Sequence, residues 1–224
     1  MASTVEDEEP VPSAGRGAGA AYDIGRLLAF SDGVFAIAIT LLVLGIPVPH
    51  VVDSTQLPGE LRHLSMNLVG FAVSFVLVGT QWIAHHRLLR RLDFCSAAIL
   101  WINLLLLMGI CLVPFATSLL VLYGDSPAGA IPYAALQAAI GTVFVGFRLY
   151  LLRNGVDLRR TLVLSWVPAV AFLVSIPLAL RSVNYAYAVW VAGFTVSRAQ
   201  ASGLSARLFG HLRRVELPWT RSRS

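Results

Sequence analysis

Residues 26–46 read Arg26-Leu27-Leu28-Ala29-Phe30-Ser31-Asp32-Gly33-Val34-Phe35-Ala36-Ile37-Ala38-Ile39-Thr40-Leu41-Leu42-Val43-Leu44-Gly45-Ile46, and only Arg26 and Asp32 in that run carry charge. A helix needs about 20 residues to cross the roughly 30 Å hydrocarbon core of a bilayer, and this run is long enough. It stops at Pro47-Val48-Pro49, and with Asp53 and Ser54 beyond, the chain favours an extended exit over more helix. Backbone polar groups in lipid must pair within their own segment. The run is continuously apolar instead of alternating, so it predicts a spanning helix and excludes a β-barrel strand.

Five more runs of the same kind follow, near residues 64–84, 97–123, 128–152, 162–180 and 185–196. The whole chain of 224 residues is 57% hydrophobic and 13% charged, more apolar surface than a soluble fold can hide. The expectation is an all-α polytopic membrane protein with six transmembrane helices. Pro114 should kink the third helix, and the last two runs should form a hairpin turned at Arg181-Ser182-Val183-Asn184.

The net charge of +5 comes entirely from arginine among the basic residues, since the chain has no lysine. Setting Arg148 aside as intramembrane, arginines cluster at the termini and in the even-numbered loops, with only Arg62 and Arg181 on the other side. That asymmetry predicts cytoplasmic termini, which six spans permit. The same distribution argues against nucleic acid as a partner. Residues 1–25, rich in Glu, Gly and Ala, are expected to form a disordered tail, residues 26–200 the membrane domain, and residues 201–224 a basic cytoplasmic tail. Cys95 and Cys111 are too few and too far apart for a disulfide framework or a cysteine metal site.

Asp32 lies about two turns into the first span, where an ionised carboxylate costs about 2.5–3.5 kcal/mol at the helix centre. The helix macrodipole returns only about 0.3–1 kcal/mol, so a cationic or hydrogen-bonding partner is expected. Arg26 is six residues earlier, hence on another face, and the His85-His86-Arg87 cluster at the foot of span two is the other candidate. Asp32 therefore reads either as a member of an assembly network or as a contact for permeating ions or protons.

Further along, Ile37, Leu41 and Leu44 share one helical stripe, flanked by Thr40 and the small residues Gly33, Ala36 and Ala38. Small flanking residues allow close helix approach, so this helix suits packing around an axis with a narrow apolar constriction. Lipid contact explains an apolar stripe equally well. His85 and His86 point about 100° apart, with no further ligand one turn away, so no metal site is expected. Trp82, Trp101, Trp166 and Trp190 read as interfacial or packing residues. Nothing forms a nucleophile–base pair, a phosphate loop or a cofactor fingerprint, so neither an enzyme nor a cofactor is expected.

The stretch Arg26 to Leu44, together with Gln81-Trp82-Ile83-Ala84-His85-His86-Arg87-Leu88-Leu89-Arg90, Trp101-Ile102-Asn103-Leu104-Leu105-Leu106-Leu107 and Pro114-Phe115, resembles the prokaryotic relatives of the lysosomal potassium channel, the TMEM175 family. The resemblance covers the first three spans. It implies a homotetramer of six-span subunits in the cell membrane and a potassium-preferring pore lined by span one without a carbonyl filter. It further implies a constriction of Ile37, Leu41 and Leu44, a selectivity-associated ring at Thr40, and a structural network of Arg26, Phe30, Ser31, Asp32, His85 and His86. Permeant K+, other monovalent cations, membrane lipid and further copies of the chain are the implied partners. Relatives often carry Glu where this chain has Gly45, which alters the electrostatics of the mouth. The alternative is a proton-conducting channel or a proton-coupled transporter using Asp32, His85 and His86 as relays, against which the absence of inverted repeats argues.

Overall fold

The computed structural model describes residues 23–48, 64–92, 95–156 and 159–212, side chains being described except at 66, 159–165 and 198–212. Among them are six α-helices: α1 (Ile24–Leu41), α2 (Ser65–Leu89), α3 (Ala97–Tyr123), α4 (Pro127–Arg153), α5 (Arg159–Arg181) and α6 (Val183–Leu212). α1 continues into a 3₁₀ turn, Leu42–Gly45. The fold is all-α, as the apolar runs require, and the chain is a multi-pass membrane protein. Ile24–Gly45, Asn67–Leu89, Ala97–Tyr123 and Pro127–Arg153 are long and apolar enough to cross a membrane, and Trp166–Arg181 is a shorter apolar stretch.

Local chemistry sets the helix ends. Asp23 caps α1 by accepting from the Gly25 N–H at 2.7 Å, and Ser96 caps α3 by accepting from the Ile99 N–H at 3.4 Å. Pro127 opens α4 at a position where its missing N–H costs nothing. Ser182 alone separates α5 from α6, and its N–H donates to Leu178 O (2.9 Å), so the hairpin turns where expected. α3 stays continuous through Pro114, with Thr117 and Ser118 hydroxyls donating back to the carbonyls of Val113 (2.9 Å) and Pro114 (3.1 Å).

Two helices outrun their apolar segments. α2 continues past Ala84 to Leu89, because Leu88 and Leu89 bury against Leu27, Ile99, Phe147 and Leu151. The basic cluster His85-His86-Arg87 is therefore part of the helix and not its exit. α6 runs on to Leu212, across the boundary expected at residue 200. The tail segments 1–22 and 213–224, and Asp53, Ser54 and Arg62, lie outside the described residues.

α1 packs on α2 and α3, and α3, α4, α5 and α6 then pack in chain order. The central core joins Phe35, Ala38 and Leu42 of α1 and its turn to Val78 of α2, Leu106, Leu107, Ile110 and Val113 of α3, and Ile140 and Phe144 of α4. On the opposite side of α3, Trp101, Leu104, Leu105, Met108, Leu112 and Phe115 are exposed at helical spacing, which suits a surface whose solvent is lipid. Cys95 is buried in the cluster of Leu27, Leu89 and Ile99, which pushes its thiol up, while Cys111 is exposed; both are free.

Without a hydrophobic drive between helices in lipid, close approach depends on small residues. A Cβ at Gly141 would sit 2.8 Å from the Ala169 Cβ and 3.0 Å from its Cα, and one at Gly193 would sit 2.7 Å from the Ala171 Cβ, so α4, α5 and α6 are in backbone-close contact at these points. Gly146, by contrast, has nothing within 4 Å of such a Cβ. Gly141→Leu is expected to lower stability by about 1–3 kcal/mol through overpacking, and Gly146→Leu to leave it near wild type. Thermal unfolding of the purified variants in detergent measures the difference, and equal behaviour would refute this packing.

Candidate functional site

α1 has two faces of opposite character. Leu27, Ser31, Phe35, Ala38 and Leu42 are buried and recur at helical spacing, forming the side that meets α2 and α3. On the other side, Phe30, Ile37, Leu41 and Leu44 are exposed, Ile37 by 61%, Leu41 by 42% and Leu44 by 76%. Thr40 is exposed with them, and its hydroxyl donates to the Ile37 carbonyl at 2.8 Å. Of the small flanking residues, Ala38 is buried while Gly33 and Ala36 face outward, and a Cβ at Gly33 would meet nothing within 4 Å.

The buried side holds a polar knot. Asn103 of α3 is fully buried with both ends of its amide in use: its Oδ1 accepts from His85 Nε2 of α2 at 2.6 Å, and its Nδ2 donates to Ser31 Oγ of α1 at 3.1 Å. Ser31 passes its own proton to the Leu27 carbonyl at 2.8 Å. The Phe35 ring lies 5.4 Å from the His85 ring and closes the pocket on that side. His85 Nδ1 has no hydrogen-bond partner. One side chain thus ties three helices together where each buried polar group needs a partner.

Asp32 follows Ser31 and points about 100° away. Its Oδ1 accepts from Trp82 Nε1 at 2.8 Å, and His86 Nδ1 lies 4.0 Å from the same oxygen. Trp82 and His86 are one turn apart on α2, with ring centroids 5.7 Å apart. The expected partner is therefore present, but it is an indole N–H beside an imidazole. Arg26 makes no polar contact with Asp32 within this chain, and Phe30 projects outward.

Of the six residues expected to form one network, Ser31 and His85 are joined through Asn103, and Asp32 and His86 meet at Trp82. Arg26 and Phe30 stand apart from both groups. Trp82 adds a role to its interfacial or packing reading, because its indole N–H donates to the acid. Asn103 was also missed, although a single amide between Trp101 and Leu107 is itself a signal. Trp190 does pack, against Tyr133, Phe172 and Tyr187, with its Nε1 donating to Ser175 Oγ at 2.7 Å. Trp101 and Trp166 are exposed.

The family model described as the endosomal/lysosomal potassium channel TMEM175 matches residues 26–114, which hold both polar groups and the exposed stripe. A protein of Chamaesiphon minutus named as a potassium channel is 41% identical over 127 residues, 54% of this chain and 63% of that protein. One of Streptomyces collinus, also named as a potassium channel, is 37% identical over 139 residues, 58% of this chain and 66% of that protein. These alignments thus span about two thirds of either relative. The crystal structure of a lysosomal potassium-selective channel TMEM175 homolog from Chamaesiphon minutus superposes with a TM-score of 0.71 at 33% identity, covering 80% of this chain and 96% of that one.

If Asn103 is the tie, Asn103→Leu strands the His85 Nε2–H and should cost about 1–3 kcal/mol for one unsatisfied buried donor. Adding His85→Leu removes the orphan, so the double variant should lose less than the sum of the two single losses. Thermal unfolding of the four proteins of this cycle tests the coupling, and strict additivity would refute it.

Proposed function

Since the chain belongs to the TMEM175 family, we propose that it is a subunit of a potassium-preferring cation channel, conducting passively along an axis lined by α1 of four copies. The observation that carries this reading is the two-faced α1. One face is fixed to α2 and α3 by Asn103 and Trp82, and the other presents Ile37, Leu41 and Leu44 with no partner inside the chain. Four such faces around an axis form stacked apolar rings. A narrow apolar constriction empties of water and blocks ions, and widening by tilt or rotation of the helices rewets it.

Thr40 supplies the polar element in this arrangement. Its proton is committed to the Ile37 carbonyl, so its oxygen lone pairs are what a passing cation meets. K+ gives up its hydration more readily than Na+, and rings of neutral oxygen favour the ion with the smaller dehydration cost. No cofactor enters the mechanism, and the permeant ions are K+ and other monovalent cations. The arginine asymmetry supports cytoplasmic termini in the plasma membrane. At the mouth, a Cβ on Gly45 would sit 2.9 Å from Ser118 Oγ, so the acidic side chain frequent in relatives needs this contact to shift.

The pairing of Asp32 with Trp82, and of His85 with Asn103, favours holding roles over proton relay, because each group's nearest partner is a fixed donor or acceptor on a neighbouring helix. Asp32, Ser31, His85 and His86 then act by keeping the anchored face of α1 in place, so that Ile37, Leu41 and Leu44 hold their orientation.

Purified protein in liposomes with opposed K+ and Na+ gradients should show a reversal potential displaced toward that of K+, and a reversal potential insensitive to K+ would overturn the channel reading. Ile37→Asn should hydrate the constriction and raise conductance several-fold with little change in stability, Ile37 being exposed. Single-channel or flux recordings check this, and unchanged current would move the pore away from α1.

A further inference from the structure

Where α2 and α4 finish, a cavity of about 260 Å³ lies open, lined by Arg91, Leu92, Ile99, Tyr150, Asn154 and Val156 among others. Leu92, Ile99, Tyr150 and Val156 also belong to the packed cluster that takes Ile24 and Leu27 from the start of α1. The chain therefore enters its first helix beside this cavity. Its wall is largely apolar and its rim is basic: Arg90 and Arg153 each stand one residue, about 3.8 Å along the chain, from a lining residue, and both are exposed.

The segments that build this end of the bundle do not balance its charge. Residues 23–26, 87–93 and 153–160 hold seven arginines against three aspartates, and one of those, Asp23, caps α1. Whichever pairs form among them, four positive charges are in excess. Such an excess attracts an anionic segment from within a Debye length, about 10 Å at moderate salt.

The same chain carries four consecutive acids, Glu6-Asp7-Glu8-Glu9, followed by Pro10-Val11-Pro12. Residues 10–22 link that run to Asp23. At about 3.3–3.6 Å per residue the link reaches roughly 40 Å, against the about 8–10 Å between axes of packed helices. We propose that the acidic segment Glu6–Glu9 docks on the basic rim of this cavity, with Val11 seated against Leu92, Ile99 and Val156. A following proline favours an extended backbone at Val11, the form that lies along a groove. The basic stretch after residue 200 is the other cationic site in the chain. α6 leads to it and packs on α5 and α4, whereas α1 rests on α2 and α3, so the acidic segment emerges on the cavity's side.

The test attaches a benzophenone to Val11→Cys in full-length protein in detergent; Cys111→Ser removes the exposed native thiol, and Cys95 is buried. After illumination, peptide mapping by mass spectrometry should place most adducts within residues 90–99 and 150–156. Replacing the acids together (Glu6→Gln, Asp7→Asn, Glu8→Gln, Glu9→Gln) should lower that yield about fivefold or more, and high salt should do the same, since exposed charge pairs are screened. Arg90→Gln combined with Arg153→Gln, both exposed, should act likewise. Adducts spread along the chain without preference, adducts concentrated in residues 201–224, or a yield indifferent to removal of the four acids overturn the proposal. In nanodiscs of phosphatidylcholine the same adducts are expected. Their loss when phosphatidylglycerol is added would give the cavity to lipid headgroups and overturn docking by the chain's own segment. None of these readouts depends on what the protein conducts.

Discussion

The amide of Asn103 is the point on which the rest of the structure depends. In a medium without water, every buried donor and acceptor must find a protein partner, and few side chains serve three helices at once. Asn103 uses its carbonyl for His85 of α2 and its amino group for Ser31 of α1, both within 3.1 Å. Apolar packing among Phe35, Leu106, Ile110 and Val113 gives affinity but little angular discrimination. The two amide bonds supply the discrimination, because rotating α1 about its own axis by one residue would take Ser31 away from Asn103.

The bundle then divides its work. α3, α4, α5 and α6 form a chain of close-packed neighbours, with Gly141 against Ala169 and Gly193 against Ala171. Besides apolar contacts, α2 meets α4 through polar side chains: Ser74 Oγ lies 3.1 Å from the Tyr133 hydroxyl and 2.9 Å from Thr117 Oγ1, and Gln81 Nε2 donates to Gln137 Oε1 at 2.8 Å. α1 rests on α2 and α3 and leaves its apolar stripe outward. A rigid rear scaffold and a front helix held at a few defined points suit a protein in which one face must keep its orientation while remaining able to move.

Much of this was legible in the sequence, for identifiable reasons. Hydropathy located all six helices, and Ala97–Tyr123 has the bounds read from it, because Ser96 and Gly124 flank an uninterrupted apolar run. It misjudged the ends of α2 and α6, since loss of hydropathy marks where lipid ends and not where helix ends; Leu88 and Leu89 continue to bury and the polar stretch after Val196 keeps helix-forming residues. That Asp32 needs a partner followed from the cost of burying charge. That the partner is Trp82 did not, because the register between two helices distant in sequence is a packing outcome. Asn103 was hidden for the same reason: its importance lies in which two side chains it faces.

The four residues that close α1 contain a further consequence. In the 3₁₀ turn Leu42–Gly45 the chain advances at three residues per turn, so Leu44 stands directly in line with Leu41. At 3.6 residues per turn the same step would leave Leu44 rotated by about 60°. The winding of a single turn therefore sets whether Leu41 and Leu44 are eclipsed or staggered on the exposed face of α1, a change of phase that needs no displacement of the anchored part of the helix.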